Sequence, residues 1–164
     1  MSPEAEILEK HRRAARILLV DERDRVLLLS SWLEARQCVI WLAAGGALEE
    51  GETYREAARR ECWEETGFEP DTALPDVWVR EHKWMWGENP IHTVEHYFFA
   101  RVDNFEPQAQ QLEDYEEELF IGHRWWTVDE LRHCDDLIVP RDLAELLRPL
   151  LRGEIPDEPV WVGV

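Results

Sequence analysis

Positive charge is scarce in this chain: 18 Lys and Arg stand against 36 Asp and Glu over 164 residues, a formal net charge of −18. That balance argues against a nonspecific DNA or RNA binder, which needs a basic surface. A phosphorylated ligand would meet a repulsive field and would need metal ions or local arginines to offset it. The same acidity also serves as a plain solubility device. Cysteine is sparse too. Cys38, Cys62 and Cys134 are odd in number and form no C-x-x-C pair. A disulfide framework or a cysteine zinc site is therefore not expected, and a reducing compartment is the default. Long apolar runs are missing: stretches such as ILLV at 17–20 are far too short to span a membrane. The leading MSPEAEILEKHRR is charged and has no apolar core of a signal peptide. The expected location is the cytoplasm, with no membrane and no nucleic-acid polymer as partner. Internal repeats, linkers, low-complexity tracts and an EF-hand loop of the D-x-D-x-D-G kind are also lacking.

What is present is one domain's worth of chain, 1–164, with 45% hydrophobic residues and an irregular Pro-rich tail over about 153–164. Ser2-Pro3 with Glu4 and Glu6 can open a short helix. Ala14 to Asp21 and Arg25 to Trp32 read as strands joined by the turn DERD, and Val39 to Ala43 as a third, which Gly45-Gly46 then breaks. Thr53 to Thr66 is the clearest helix. Thr53 is its N-cap, Glu56 completes a capping box and Gly67 suits a left-handed C-terminal residue. Val77 to Trp86 and Thr93 to Val102 read as strands around the turn GENP, and 103–118 as an acidic loop. Arg124 to Thr127 reads as a short strand, with helices over Val128 to Arg132 and Asp142 to Leu151. The order of elements predicts an α/β or α+β sandwich around a mixed sheet.

The helix 53–66 carries the strongest chemical signal. At about 100° per residue, Glu64 and Glu65 fall on either side of Glu61, in line with Tyr54, Ala57 and Ala58. Arg55, Arg59 and Trp63 point elsewhere. The carboxylates therefore continue the face that should turn inward. Most charge runs are simply solvated. Here Glu61 and Glu65 are a like-charge i,i+4 pair, repulsive even when exposed and more so in a cleft unless a cation sits between them. Several convergent oxygens suit a hard divalent ion, Mg2+ or Mn2+. Arg60 has Glu56 and Glu64 at i−4 and i+4 and can hold or neutralise them. Glu52 lies before the cap, within reach of the helix N-terminus. Gly45-Gly46 allows close backbone approach, although an ordinary turn would use the same residues.

From Gly46, five residues lead to Glu52, and seven more to Arg60-Glu61, Cys62, Trp63, Glu64-Glu65, Thr66, Gly67 and Phe68. This resembles the Nudix box of the Nudix hydrolases, Gly-x5-Glu-x7-Arg-Glu-U-x-Glu-Glu-x-Gly-U, with U a bulky apolar residue. Every Gly, Glu and Arg position is filled. Weaker similarity reaches outward to RRAARILLVD, WLAAGG and RWWTVDEL, covering roughly 12–132. Two residues depart from the pattern. Ala44 stands where proline is usual before the glycines, which loosens that loop. Cys62 fills a slot usually aliphatic and reads as core. The resemblance implies a Nudix-type α/β/α sandwich with a central mixed sheet. It implies hydrolysis of a nucleoside diphosphate linked to another group X. It also implies metal binding by Glu61, Glu64 and Glu65 with the Gly45 carbonyl, and supporting roles for Gly46, Glu52, Arg60 and Gly67. Glu61 is the first choice of general base, and a member of Glu116–Glu118, with Glu118 favoured, the second. A catalytically silent nucleotide-binding or regulatory Nudix domain is the alternative. The complete acidic set and the lack of a visible DNA-binding segment favour the enzyme.

Outside the box, Trp84 and Trp86 share a strand face with His82 and can stack on a nucleobase, though core or a dimer surface explains them as well. Arg16, Arg36 and Lys83, together with Arg12 and Arg13, are the available phosphate contacts, or else solvated surface. His92 and His96, about 13 Å apart on a strand, are too far apart to share a metal and read as structural. The resemblance leaves the identity of X open; many members of the family are homodimers, which makes a homodimer a candidate assembly without deciding it.

Overall fold

Strand β1, Lys10–Val20, is the axis of the fold. It runs parallel to β6 (Asn89–Arg101) along its whole length. On its other edge it splits its pairing, meeting β2 (Val26–Leu33) near Val20 and β4 (Ala44–Ala47) at Ala14 to Ile17, both antiparallel. With both faces covered, β1 is buried almost continuously from Ala14 onward, which is why ILLV shows no polar alternation. The computed structural model describes residues 10–70, 74–111 and 120–163. The expected helix near Ser2 and the acidic run Glu116–Glu118 fall outside them.

β3 (Cys38–Leu42), β5 (Asp76–Trp86), β7 (Phe120–Trp126), β8 (Leu137–Ile138) and β9 (Val160–Val162) complete a mixed sheet of order β8-β3-β2-β1-β6-β5-β9. β7 lies off this path on β2, as β4 does on β1. Helix α1 (Tyr54–Thr66) lays Ala57, Ala58 and Cys62 against Ala15, Ile17, Leu19 and Phe98 on one face. On the other face, α2 (Val128–Arg132) and α3 (Leu143–Leu151) bring Leu131, Leu143, Leu147 and Leu150 onto Leu18, Val20, Trp78, Tyr97 and Phe99. At roughly 1.5–3 kcal/mol for each large apolar side chain buried, these two seams carry most of the favourable free energy of folding. The result is the expected three-layer α/β/α arrangement.

Some elements differ from the sequence reading. Gly45-Gly46 does not break the chain. Strand β4 runs through both glycines, with Arg16 opposite Gly45 and Ala15 opposite Gly46. Any Cβ at Gly45 would lie 2.1 Å from the Ala15 carbonyl oxygen, so glycine is what lets the strands close up there. The tail is not wholly irregular, because Val160–Val162 pairs in parallel with Trp78–Arg80 as an edge strand. The full reciprocal capping box closes α2, between Thr127 and Glu130. In α1, Thr53 accepts the Glu56 N–H at 3.1 Å.

Candidate active site

α1 begins at Thr53 and ends at Gly67, whose φ of 77° is the left-handed stop expected of it. Between those caps the helix turns Glu61 down onto β4. Glu61 is only 7% exposed, and a Cβ on Gly46 would sit 2.6 Å from its Oε1 and 2.8 Å from its Cδ. Gly46 is thus the cradle of the Glu61 carboxylate. Its neighbour Gly45 donates its N–H to Glu65 Oε2 at 3.0 Å. Two successive residues of one strand therefore fix two carboxylates of one helix.

Arg60 answers the repulsion on that face. Its Nη1 donates to Glu61 Oε1 at 2.9 Å and to Glu64 Oε2 at 3.2 Å. Its Nε and Nη2 hold Glu52 at 2.8 and 3.0 Å, and Nη2 also reaches the Ala47 carbonyl at 3.0 Å. The partner that sequence reasoning assigned to Glu56 is Glu52. Glu52 also accepts the Glu49 N–H at 3.0 Å, so it serves Arg60 and its own loop rather than the helix N-terminus. Hydrogen bonding to Arg60 holds the Glu52 carboxyl below its usual range. Glu64 moves the other way. Burial first, and then the charge of Glu61, raise it against the pull of Arg60. Burial pushes the Cys62 thiol up to about 12, so it is a core residue and not a nucleophile.

The donor set is all oxygen, crowded, and short of positive charge at Glu64, which fits a hard divalent cation. As the side chains stand, no three His, Cys, Asp or Glu groups among the described residues close around one point. Arg60 holds Glu61 and Glu64, and Gly45 holds Glu65, so an ion entering here would replace N–H donors already in place. The Gly45 carbonyl accepts from Arg16 Nη1 at 3.2 Å, and the same nitrogen reaches the Ala43 carbonyl at 3.1 Å. Arg16 is therefore neither solvated nor turned to an outer ligand. It straddles Ala44, which is 2% exposed and firmly paired in β4, so the loop expected to be loose without proline is held.

Behind Arg16 lies a charge cluster that sequence reasoning missed. Arg16 Nε is 3.4 Å from Glu95 Oε2. Glu95 Oε1 accepts from Arg80 Nη1 at 3.2 Å and lies 2.8 Å from His82 Nε2. Burial opposes ionisation of Glu95, but the His82 hydrogen bond and the charges of Arg16 and Arg80 prevail and hold it down to about 2. The signal was available. Ile91, Thr93, Glu95, Tyr97 and Phe99 alternate on one face of β6, and that phase puts a carboxylate inside beside Arg80 and His82 of β5. Trp84 lies on this face, half-buried, and donates to Thr93 Oγ1 at 2.9 Å. Lys83 is exposed on the opposite face of β5, and Arg36 is exposed at the end of the short 3-10 turn Glu34–Arg36. Neither joins Arg16 on its strand face. His96 meets Asp76 at 2.6 Å and packs on Tyr54, a structural role.

Residues 10–150 match the family model described as the NUDIX domain. The chain belongs to the Nudix hydrolase family. Phosphatase NudJ of Escherichia coli strain K12 is 46% identical over 115 residues, covering 70% of this chain and 69% of NudJ. Among solved structures, the MutT Nudix hydrolase of Burkholderia pseudomallei superposes with a TM-score of 0.62 at 21% identity, covering 83% of this chain and 96% of that one. The Nudix domain of Shewanella oneidensis NrtR, complexed with ADP ribose, gives 0.66 at 15% identity, covering 92% and 94%. These structural likenesses establish the fold. Of the four glutamates in the box-like pattern, Glu52, Glu61 and Glu64 bond to Arg60, and Glu65 accepts from the Gly45 N–H.

Two predictions follow from these contacts. Gly46→Ala drives a methyl into the Glu61 carboxylate. If these carboxylates hold a divalent ion, the variant should bind Mn2+ roughly 10- to 100-fold more weakly, the scale for disturbing a group that orients metal ligands. Isothermal titration of the folded variant measures this. Glu95, held at about 2 against an ordinary value of 4.5, adds stability that is fully present above pH 4.5 and is lost as pH falls towards 2. Urea midpoints across that window should show wild type losing roughly 3 kcal/mol more than Glu95→Gln.

Proposed function

We propose that this chain is a divalent-metal-dependent hydrolase that cleaves the diphosphate linkage of a nucleoside diphosphate joined to another group X. The observation that carries this reading is the set Glu61, Glu64 and Glu52 around one guanidinium on the buried face of α1, with Glu61 seated on Gly46. Glu61, Glu64 and Glu65 would hold Mg2+ or Mn2+, with the Gly45 carbonyl beside them. A bound ion of this kind neutralises diphosphate oxygens and lowers the pKa of coordinated water. The chain's own residues supply the rest. Arg60 keeps Glu52, Glu61 and Glu64 in register. Glu61, the most enclosed of these three carboxylates, takes the proton of the attacking water, with Glu118 as the second choice. Trp84, Trp86, Lys83 and Arg36 are assigned to the group beyond the diphosphate. The strand face that carries Trp84 supports the stacking role more than exposure supports the two cations.

The name of the NudJ relatives supports including release of a terminal phosphate among the reactions tested. Small nucleotide derivatives, as in the NrtR complex with ADP ribose, define the substrate class to survey. No helix among the described residues is long and apolar enough to cross a membrane. A homodimer is the assembly to test by light scattering.

The test is a panel of nucleoside triphosphates and diphosphates, nucleotide sugars, ADP-ribose, dinucleoside polyphosphates and CoA, each with Mg2+, with Mn2+ and with chelator. Turnover should require the ion, and Glu64→Gln and Glu65→Gln should each abolish it while leaving the circular dichroism spectrum unchanged. Hydrolysis in excess chelator, or near-normal turnover by either variant at saturating Mg2+, refutes the metal role. Tight binding of a panel member without turnover favours a sensor.

A further inference from the structure

The buried cluster on the sheet face opposite α1 is more than a neutralised ion pair. Glu95 Oε1 already has Arg80 and His82 at 3.2 and 2.8 Å, and Arg16 Nε stands 3.4 Å from the buried Oε2, so two guanidiniums and a histidine surround one carboxylate. Arg16 brings a second full positive charge into a place where its side chain is only 13% exposed. Burying a charge beyond what pairing needs is costly. The compensation lies in where Nη1 goes: to the carbonyls of Ala43 and Gly45, on either side of Ala44. Glu95 Oε2 lies 3.4 Å from Nε, an ion pair that draws that end of the guanidinium towards the cluster.

These two carbonyls belong to the segment that meets α1. Gly45 sends its N–H to Glu65, and Gly46 lies under Glu61. The two peptide planes that Arg16 pins therefore flank the Ala44–Gly45 peptide, whose N–H goes to Glu65, and the second of them carries the Gly46 Cα. A carbonyl oxygen has two lone pairs, so Arg16 can fix the direction of the Gly45 carbonyl and leave it able to accept again. A contiguous path of direct contacts runs Glu95, Arg16, Gly45, Glu65, from one face of the sheet to the other.

We propose that Arg16, oriented by Glu95, is a positioning residue for the carboxylate centre, holding residues 43–46 so that Glu61 and Glu65 stand where a divalent cation can use them. This rests on the metal-site reading above, but it concerns geometry and not the substrate. Arg16 acts through the backbone and touches no reacting group.

The test compares Arg16→Met, which leaves Glu95 paired with Arg80 and His82, with Arg16→Lys. The lysine keeps the charge but has one compact head that cannot span both carbonyls and Glu95. Two readouts need no substrate. The first is amide hydrogen exchange of the metal-free protein. Gly45 should exchange at least tenfold faster in Arg16→Met, while the amides of Leu147 and Leu150 in α3 keep their wild-type rates. The second is Mn2+ affinity. It should fall at least tenfold in Arg16→Met and by an intermediate factor in Arg16→Lys. Uniform acceleration of all amides, an unchanged Gly45 rate, or unchanged or tighter Mn2+ binding by Arg16→Met overturns the proposal. A wild-type chain that binds no Mn2+ overturns both this and the metal-site reading. One that binds Mn2+ yet hydrolyses nothing in the panel refutes only the hydrolase.

Discussion

One guanidinium makes the acidic face of α1 tenable. Without Arg60, Glu52, Glu61 and Glu64 would converge in a space too enclosed for water to screen them. With it, each carboxylate has a charge-assisted donor and a set direction. The arrangement is sound structurally and unfinished chemically. Arg60 brings one positive charge to four carboxylates, the exposed Glu49 at 3.7 Å being the fourth, and Glu64 remains raised by burial and by Glu61 despite its bond. A helix face that is stable but still short of positive charge is a natural place for a divalent ion, and that follows from the charges before any relative is consulted.

The second constraint is backbone proximity. A helix can bring carboxylates to a strand closely only if the strand has no side chains in the way. Gly45 and Gly46 meet this need on opposite sides of β4. One lets β1 close against the strand, and the other lets Glu61 settle on it. The same ladder that completes the sheet beside β1 thereby positions the site, so packing and chemistry share one short segment. Arg16 is the side chain through which the opposite face of the sheet bears on it.

How much of this the sequence displayed depends on how local each cause was. Helix α1, its Thr53 cap and Gly67 stop, the inward turn of Glu61 and the Arg60–Glu64 pair were all legible, since spacing within 15 or so residues governs them. The α/β/α layering was legible too, from the order of strands and helices. What was hidden was set by distant partners. Gly45-Gly46 reads as a break by propensity and is a strand only because β1 pairs with it. Val160–Val162 sits in a Pro-rich tail and becomes a strand only by lying along Trp78–Arg80. Arg16 looked like a surface cation because the carbonyls it bonds lie 27 and 29 residues away and its carboxylate partner is on another strand.

That last misreading bears on function. In a chain so acidic, the instinct is to reserve every arginine for the substrate's phosphates. The structure uses Arg16, Arg60 and Arg80 internally, each bonded to a carboxylate or a backbone carbonyl of the site or its supports. Anion recognition then does not rest chiefly on these side chains, because withdrawing one would strip a buried carboxylate or backbone carbonyl of a charged partner. On the proposed function, a divalent ion would bring the positive charge that these three arginines do not spare, beside exposed cations such as Arg36 and Lys83. That is how so negative a protein would take a negative substrate.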